Sequence, residues 1–66
     1  MMEEKTIGQK LKAARGSRTI ESVCNAIGIT QNSLLAYEAG SRVPRDAIKC
    51  RLARQYGKSI AELFFY

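Results

Sequence analysis

The sequence has no histidine and no tryptophan, and a single proline among its 66 residues. Without histidine, Cys24 and Cys50 lack the usual partners of a zinc site, and they do not form a C-x-x-C pair either. The chain also has no glycine-rich phosphate loop and no nucleophile beside a base, which most enzymes need. We therefore expect a protein that is not an enzyme and that uses neither a metal nor a cofactor.

Long apolar runs are missing as well, since none approaches the roughly 20 residues of a membrane-spanning helix. The charged opening M-M-E-E-K is unlike a signal peptide. No alternating run of β-branched residues and no Asn-Gly or Asp-Gly hairpin signal occurs. These absences predict an all-α, cytoplasmic protein with no membrane partner. Because cysteine is among the most buried residue types, we expect both cysteines to be buried free thiols.

Positive charge is in excess, with eleven Lys and Arg against six Asp and Glu and a net charge of +5. This balance favours a polyanionic partner such as nucleic acid. The excess lies at the two ends, because residues 16–48 hold as many bases as acids. A chain this short buries only about 60% of its unfolded surface, so a dimer is expected.

Turn and cap signals divide the chain into five short helices. Ile7, Leu11 and Ala14 recur at helical spacing and predict a first helix from Glu4 to Arg15. Further helices are predicted after the caps Thr19 and Thr30 and from Pro44 in a first turn. The capping box S59-I60-A61-E62 starts the last short helix, which is predicted to run through Leu63, Phe64 and Phe65. The side chains predicted to face inward in the second, third and fourth helices are Ile20, Val23, Cys24, Ile27, Leu34, Tyr37, Ile48, Leu52, Ala53 and Tyr56.

The connection between the second and third helices consists of Gly28 and Ile29. A link this short makes the two helices cross steeply, as in a helix-turn-helix. Gly28 supplies the left-handed turn conformation, Ile29 fills the corner, and the small Cys24 lets the helices approach closely. The sequence thus predicts a helix-turn-helix unit over about residues 19–39 within one domain, residues 1–66.

In order and spacing, the chain resembles the Cro/repressor-type (XRE-like) helix-turn-helix family of phage and bacterial transcriptional regulators. The matching segments, within Ile7 to Phe65, are I7-G8-Q9-K10-L11-K12-A13-A14-R15, T19-I20-E21-S22-V23-C24-N25-A26-I27-G28-I29-T30, L34-L35-A36-Y37-E38-A39-G40, P44, L52-A53 and G57-K58-S59-I60-A61-E62-L63-F64. The resemblance implies a lambda-repressor-like domain that binds double-stranded DNA as a homodimer. It would act as a sequence-specific regulator, most simply a repressor at a palindromic operator.

The resemblance also implies that the helix after Thr30 lies in the major groove, with Gln31, Asn32, Leu35 and Ala36 on base edges. The two amides suit adenine, Leu35 suits a thymine methyl, and Ala36 offers at most a methyl contact. Two alternatives stay open. Leu35 could be a core residue or a contact with another protein, and the amides could be ordinary solvated side chains.

Arg15 and Glu38 match the ion pair by which the family ties its first helix to the end of the recognition helix. The candidate phosphate contacts are Arg18, Thr19, Thr30, Ser33, Ser41, Arg42 and Arg45, helped by open N–H groups at the start of the fourth helix. Merely solvated arginines are the alternative.

The chain departs from the family pattern at Ile20, where the family usually has a phosphate-binding Gln. Cys24 also replaces the usual Ala, and the connection from Arg15 to Thr19 is about two residues shorter than expected. The loss of Gln implies weaker binding, compensation by Arg18 or Thr19, or a domain that no longer binds DNA. A protein-interaction module of the same fold, antitoxin-like or antirepressor-like, is therefore the second hypothesis.

Four bulky side chains close the sequence: Leu63, Phe64, Phe65 and Tyr66. Because the family often dimerises through its last helix, they are the expected dimer interface. The alternative is that Leu63 and Phe64 complete the core. No ligand-binding region follows the motif in this sequence, so we expect regulation through abundance, a regulatory protein partner or proteolysis.

Overall fold

The computed structural model describes residues 6–64, and over that range the chain is all-helical with no strand. Its five helices are α1 (Ile7–Arg15), α2 (Ile20–Ile27), α3 (Gln31–Ala39), α4 (Asp46–Tyr56) and α5 (Ile60–Phe64). The predicted all-α architecture of five short helices is confirmed. Within residues 6–64, no helix combines the length and the apolar character needed to cross a membrane.

The first helix begins at Ile7, and its predicted start at Glu4 lies outside the described residues. Thr6 has an extended backbone and forms a capping box with Gln9. The Thr6 side-chain oxygen accepts from the Gln9 N–H at 3.2 Å, and the Thr6 N–H donates to Gln9 Oε1 at 2.9 Å. This reciprocal pair fixes the start of α1, and the sequence T-I-G-Q carries its signature.

The fourth helix begins later than predicted, so the placement of Pro44 in its first turn is wrong. Arg45 is the N-cap, with an extended backbone and no side-chain cap hydrogen bond, and the first helical residue is Asp46. Pro44 is buried just ahead of the cap. Asp46 places a negative charge in the first turn, where it suits the helix dipole.

The core lies among all five helices. It comprises Leu11, Val23, Cys24, Ile27, Leu34, Tyr37, Leu52, Ala53, Tyr56, Leu63 and Phe64, with Ile7, Ala14, Ile20, Ile29, Ile48 and Ile60 packed against its edge. Every side chain predicted to face inward lies in one of these two groups. Ile20 therefore has a packing role at the position where the family that the sequence resembles usually carries Gln.

The two cysteines differ in environment. Cys24 is buried and Cys50 is exposed, and both thiols are free. The prediction that both are buried is therefore wrong for Cys50, which lies on the side of α4 away from Leu52 and Tyr56.

Close packing of α1 on α3 depends on Gly8, which is buried. A Cβ atom at this position would collide with the backbone carbonyl of Glu38. The absent side chain thus lets α1 lie directly on the backbone near the end of α3.

Candidate nucleic-acid interface

The turn between α2 and α3 is held by hydrogen bonds to the end of α2. Gly28 is left-handed, with φ 77° and ψ 40°. The Gly28 and Ile29 N–H groups both donate to the Cys24 carbonyl, at 2.8 and 3.1 Å. The Cys24 thiol, whose pKa is raised by burial, donates to the Thr30 carbonyl at 3.5 Å. These hydrogen bonds therefore hold the turn and the start of α3 against the end of α2.

Two predicted phosphate contacts, Thr19 and Thr30, are helix caps. Thr19 Oγ1 accepts from the Ser22 N–H at 3.0 Å, and Thr30 Oγ1 accepts from the Ser33 N–H at 3.1 Å. The Thr30 hydroxyl also donates to Ser33 Oγ at 3.0 Å. Thr19, Ser22 and Thr30 are exposed and Ser33 is half-buried, so the caps lie at the surface near the predicted interface.

The outward face of α3 carries the residues predicted to meet bases. Gln31, Asn32 and Leu35 are exposed, whereas Ala36 is half-buried. Leu35 is 49% exposed, which excludes the alternative that it belongs to the core. Over residues 6–64 neither amide side chain makes a hydrogen bond, so both keep their donors and acceptors for a partner.

Arg15 and Glu38 form the ion pair that the resemblance implies. Arg15 Nε lies 2.8 Å from Glu38 Oε2 and Nη2 lies 3.2 Å from Oε1, with side-chain exposures of 17% and 7%. The hydrogen bond to Glu38 raises the pKa of Arg15 above its ordinary value. Arg15 Nη1 also donates to the Arg18 carbonyl at 2.9 Å, so one side chain joins α1, the connection to α2, and α3.

Arg18, a predicted phosphate contact, is folded back onto the protein. Its Nη1 donates to the Ala14 and Arg15 carbonyls at 3.1 and 3.5 Å, and its guanidinium carbon lies 5.6 Å from the centre of the Tyr56 ring. The side chain therefore caps the end of α1 and stacks on α4 while remaining exposed.

A shallow groove runs between the turn, the start of α3 and the start of α4. Its polar lining consists of Thr30, Ser33, Arg42, Arg45 and Arg51, and its remaining lining of Gly28, Ile29, Tyr37, Ala47 and Ile48. None of these residues is acidic, so the groove is cationic. We call it the arginine groove.

Four of the five polar residues of the arginine groove were predicted from the sequence, and Arg51 was not. Arg51 lies in the middle of α4, and only the packing of α4 against α2 brings it to the turn. Arg42 lies with its guanidinium carbon 5.7 Å from the centre of the Tyr37 ring. Ser41 is outside this groove, and its hydroxyl donates to the Ala36 carbonyl at 3.3 Å, which closes the end of α3.

At the chain end, Leu63 and Phe64 are 1% and 5% exposed. The structure thus places both in the core, which is the alternative that the sequence left open, instead of on the surface as dimer contacts. Lys49 Nζ lies 5.5 Å from the centre of the Phe64 ring. The other two predicted interface residues, Phe65 and Tyr66, fall outside the described residues.

Comparison with known proteins gives one similarity that bears on this surface. Over 56 residues, the chain is 41% identical to the cryptic phage CTXphi transcriptional repressor RstR of Vibrio cholerae. The alignment covers 82% of this chain and 50% of that protein, so the chain spans about half the length of the relative it matches. No family model matches the chain. No solved structure matches it either.

Proposed function

We propose that this protein is a transcriptional repressor that binds double-stranded DNA sequence-specifically, with α2, the turn and α3 as a helix-turn-helix of the Cro/repressor type. The observation that carries the proposal is the juxtaposition of the exposed amides of α3 with the arginine groove. A base-reading helix face next to a cationic, acid-free surface suits the major groove and its flanking phosphates. The similarity to a phage transcriptional repressor supports the same function.

Base recognition is assigned to the outward face of α3. Gln31 and Asn32 can each pair with adenine N6 and N7, which gives roughly 1–3 kcal/mol of discrimination for a good bidentate contact. Leu35 would touch a thymine methyl, and the half-buried Ala36 would add at most a methyl contact.

Contacts with the phosphate backbone of the DNA are assigned to Thr30, Ser33, Arg42 and Arg45 in the arginine groove. Arg18, Thr19 and Ser41, which do not line the groove, are proposed as further phosphate contacts. Because Arg neutralises phosphates and releases their counterions, the affinity should fall steeply as salt increases. The Arg15–Glu38 pair would act indirectly, by holding α3 in the orientation that these contacts require.

We further propose that two copies bind a palindromic operator as a homodimer. A small domain with a limited core is marginal alone, and twofold symmetry would match half-sites about one helical turn apart. Since Leu63 and Phe64 fill the core, the dimer contact falls to the chain end beyond them, at Phe65 and Tyr66. Light scattering over a concentration series, with Phe65→Ser and Tyr66→Ser variants, tests this part independently of DNA.

The decisive experiment is selection from randomised duplex DNA, followed by sequencing, at two salt concentrations. The wild type should enrich a palindrome, and Gln31→Ala and Asn32→Ala should each relax particular positions within the half-site. Asn25→Ala is the matched control, because it removes an exposed amide from α2 and should leave the selected sequence unchanged. The absence of any enriched sequence would overturn the proposal.

One observation favours a second function, a protein-interaction module of the same fold. Leu35 and Val43, which are 49% and 66% exposed, are the exposed large hydrophobic residues in the described part of the chain. An apolar contact with another protein releases no phosphate counterions, so its affinity would depend little on salt. A protein partner whose binding changes little with salt and is lost in Leu35→Ser, together with no selected DNA sequence, would support this alternative.

A further inference from the structure

Arg51 holds an unusual position for an exposed arginine in the middle of a helix. Its Nη1 donates to the carbonyl oxygen of Ile27, the last residue of α2, at 3.2 Å. The same nitrogen lies 4.0 Å from where a Cβ atom at Gly28 would be. The carbonyls at the end of a helix lack partners within that helix, so Arg51 supplies one and joins α4 to the turn.

This hydrogen bond occupies one of the five N–H donors of the guanidinium. Within residues 6–64, Arg51 makes no ion pair with a carboxylate and no second hydrogen bond. The side chain also lines the arginine groove with Arg42 and Arg45. Its charge is therefore uncompensated at a surface that already carries two other arginines.

A phosphate group is the ligand that fits these properties. The planar guanidinium can offer two parallel N–H donors to phosphate oxygens. The groove adds the hydroxyl of Ser33, whose oxygen accepts from the Thr30 hydroxyl and whose own proton can donate to the phosphate. Because the Ile27 carbonyl already restrains the side chain, Arg51 would lose less rotamer freedom on binding than an unrestrained surface arginine.

We propose that Arg51 binds a backbone phosphate of the DNA and couples that phosphate to the turn of the helix-turn-helix. This inference rests on the proposed DNA-binding function and adds to it a residue that the motif does not contain. Arg51 fixes the end of α2 with one donor and holds the phosphate beside the N-terminus of α3 with the others. The contact positions α3 on the duplex and reads no base.

The test compares Arg51→Gln with Arg54→Gln on the DNA selected by the wild type. Both variants remove one positive charge from α4, but Arg54 lies outside the arginine groove. Loss of one phosphate contact should reduce the slope of log affinity against log salt by about 0.9 and weaken binding to all sequences alike. Arg54→Gln should change the slope by less than half as much. Equal slopes for the two variants would overturn the proposal.

A measurement on the wild-type protein avoids any loss of folding in the variants. In ¹⁵N-labelled protein, the Nε–H resonance of Arg51 should shift and broaden when the selected duplex is added, whereas that of Arg54 should move much less. Inorganic phosphate at matched ionic strength should give only a weak shift that does not saturate. A saturable response to inorganic phosphate would assign the groove to a free anion, and no response of Arg51 to the duplex would also refute the proposal.

These outcomes separate the inference from the function on which it rests. If the wild type selects no DNA sequence, the proposed function fails. If the wild type binds its selected duplex but Arg51 and Arg54 behave alike, only the inference fails.

Discussion

The guanidinium of Arg15 and the carboxylate of Glu38 meet at two points, with Nε to Oε2 at 2.8 Å and Nη2 to Oε1 at 3.2 Å. Glu38→Gln removes the negative partner and leaves the charge of Arg15 in a largely buried site. We expect the free energy of unfolding to fall by about 2 kcal/mol, measured by urea denaturation. Glu21→Gln, which removes an exposed acid, should lower it by less than about 1 kcal/mol. Equal losses of unfolding free energy in the two variants would show that the Arg15–Glu38 ion pair contributes no more to stability than an exposed acid does.

The hydroxyl of Tyr56 is buried and has no hydrogen-bond partner in the described part of the chain. Tyr56→Phe removes that unpaired group and keeps the ring, so the free energy of unfolding should rise by up to about 1 kcal/mol. Tyr37→Phe is the control, because its hydroxyl is not an unpartnered buried group and should give no gain. A destabilised Tyr56→Phe protein would mean that the hydroxyl has a partner in solution.

Tyr56 also leads to a prediction about the free energy of unfolding at high pH. Burial, with a further contribution from the charge of Glu38, raises the pKa of Tyr56 to about 12 from an ordinary value of 10.0. Between these values, the unfolded chain has released the phenol proton and the folded chain has kept it, so stability falls as the pH rises. Wild type should therefore lose stability more steeply than Tyr56→Phe from pH 10 to 12 in urea titrations. Parallel curves would contradict the assignment to Tyr56.

Gly8→Ala should be among the most damaging small substitutions in the chain. The added methyl would meet the Glu38 carbonyl, and α1 would have to move away from α3. We expect a loss of roughly 2–3 kcal/mol in thermal or urea unfolding. Gly57→Ala is the control, with only the cost of a left-handed backbone, about 1–2 kcal/mol, because its Cβ would meet nothing. A tolerated Gly8→Ala would show that the two helices are less closely packed.

The two thiols should differ in reactivity towards a thiol reagent such as DTNB. Cys50 is exposed, whereas Cys24 is buried with a raised pKa, so it has less of the reactive thiolate. One thiol per folded chain should therefore react quickly, and the second only after denaturation. Cys50→Ser should abolish the fast phase. A fast phase of two equivalents would mean that α2 opens readily.

Much of the fold could be predicted from the sequence, because short-range signals determine it. The caps Thr19 and Thr30, the glycine stops and the capping box of Ser59 and Glu62 depend on residues a few positions apart. In the structure, the Ser59 N–H donates to Glu62 Oε1 at 2.8 Å and the Glu62 N–H donates to Ser59 Oγ at 3.1 Å. The burial pattern followed in the same way from helical periodicity.

The errors arose where local and long-range signals compete. Thr6 and Gln9 form a capping box directly after the charged opening, and helical periodicity alone placed the predicted start ahead of it. Pro44 would be compatible with a first helical turn, but the backbone of Arg45 is extended and the helix begins at Asp46. The exposure of Cys50 depends on which side of α4 meets the core, and residue type alone does not give this.

The candidate site was predictable only in part, for the same reason. Gln31, Asn32 and Leu35 project from one helix, so their shared face follows from helical geometry. Arg51 joins the arginine groove through the packing of α4 beside the turn, and no spacing in the sequence reveals this. Site residues that only tertiary structure brings together can be identified only from the structure.

Because a Cβ atom at Gly8 would collide with the backbone of Glu38, α1 and α3 pack with no space for a side chain between them at this point. Under the proposed DNA-binding function, a new target preference would come from exchanging outward side chains such as Gln31, Asn32 and Leu35, with the core residues unchanged. Such exchanges touch no core residue and cost little stability. Under that proposal, selection could change the recognised DNA sequence by exchanging exposed side chains of α3 without changing how the protein folds.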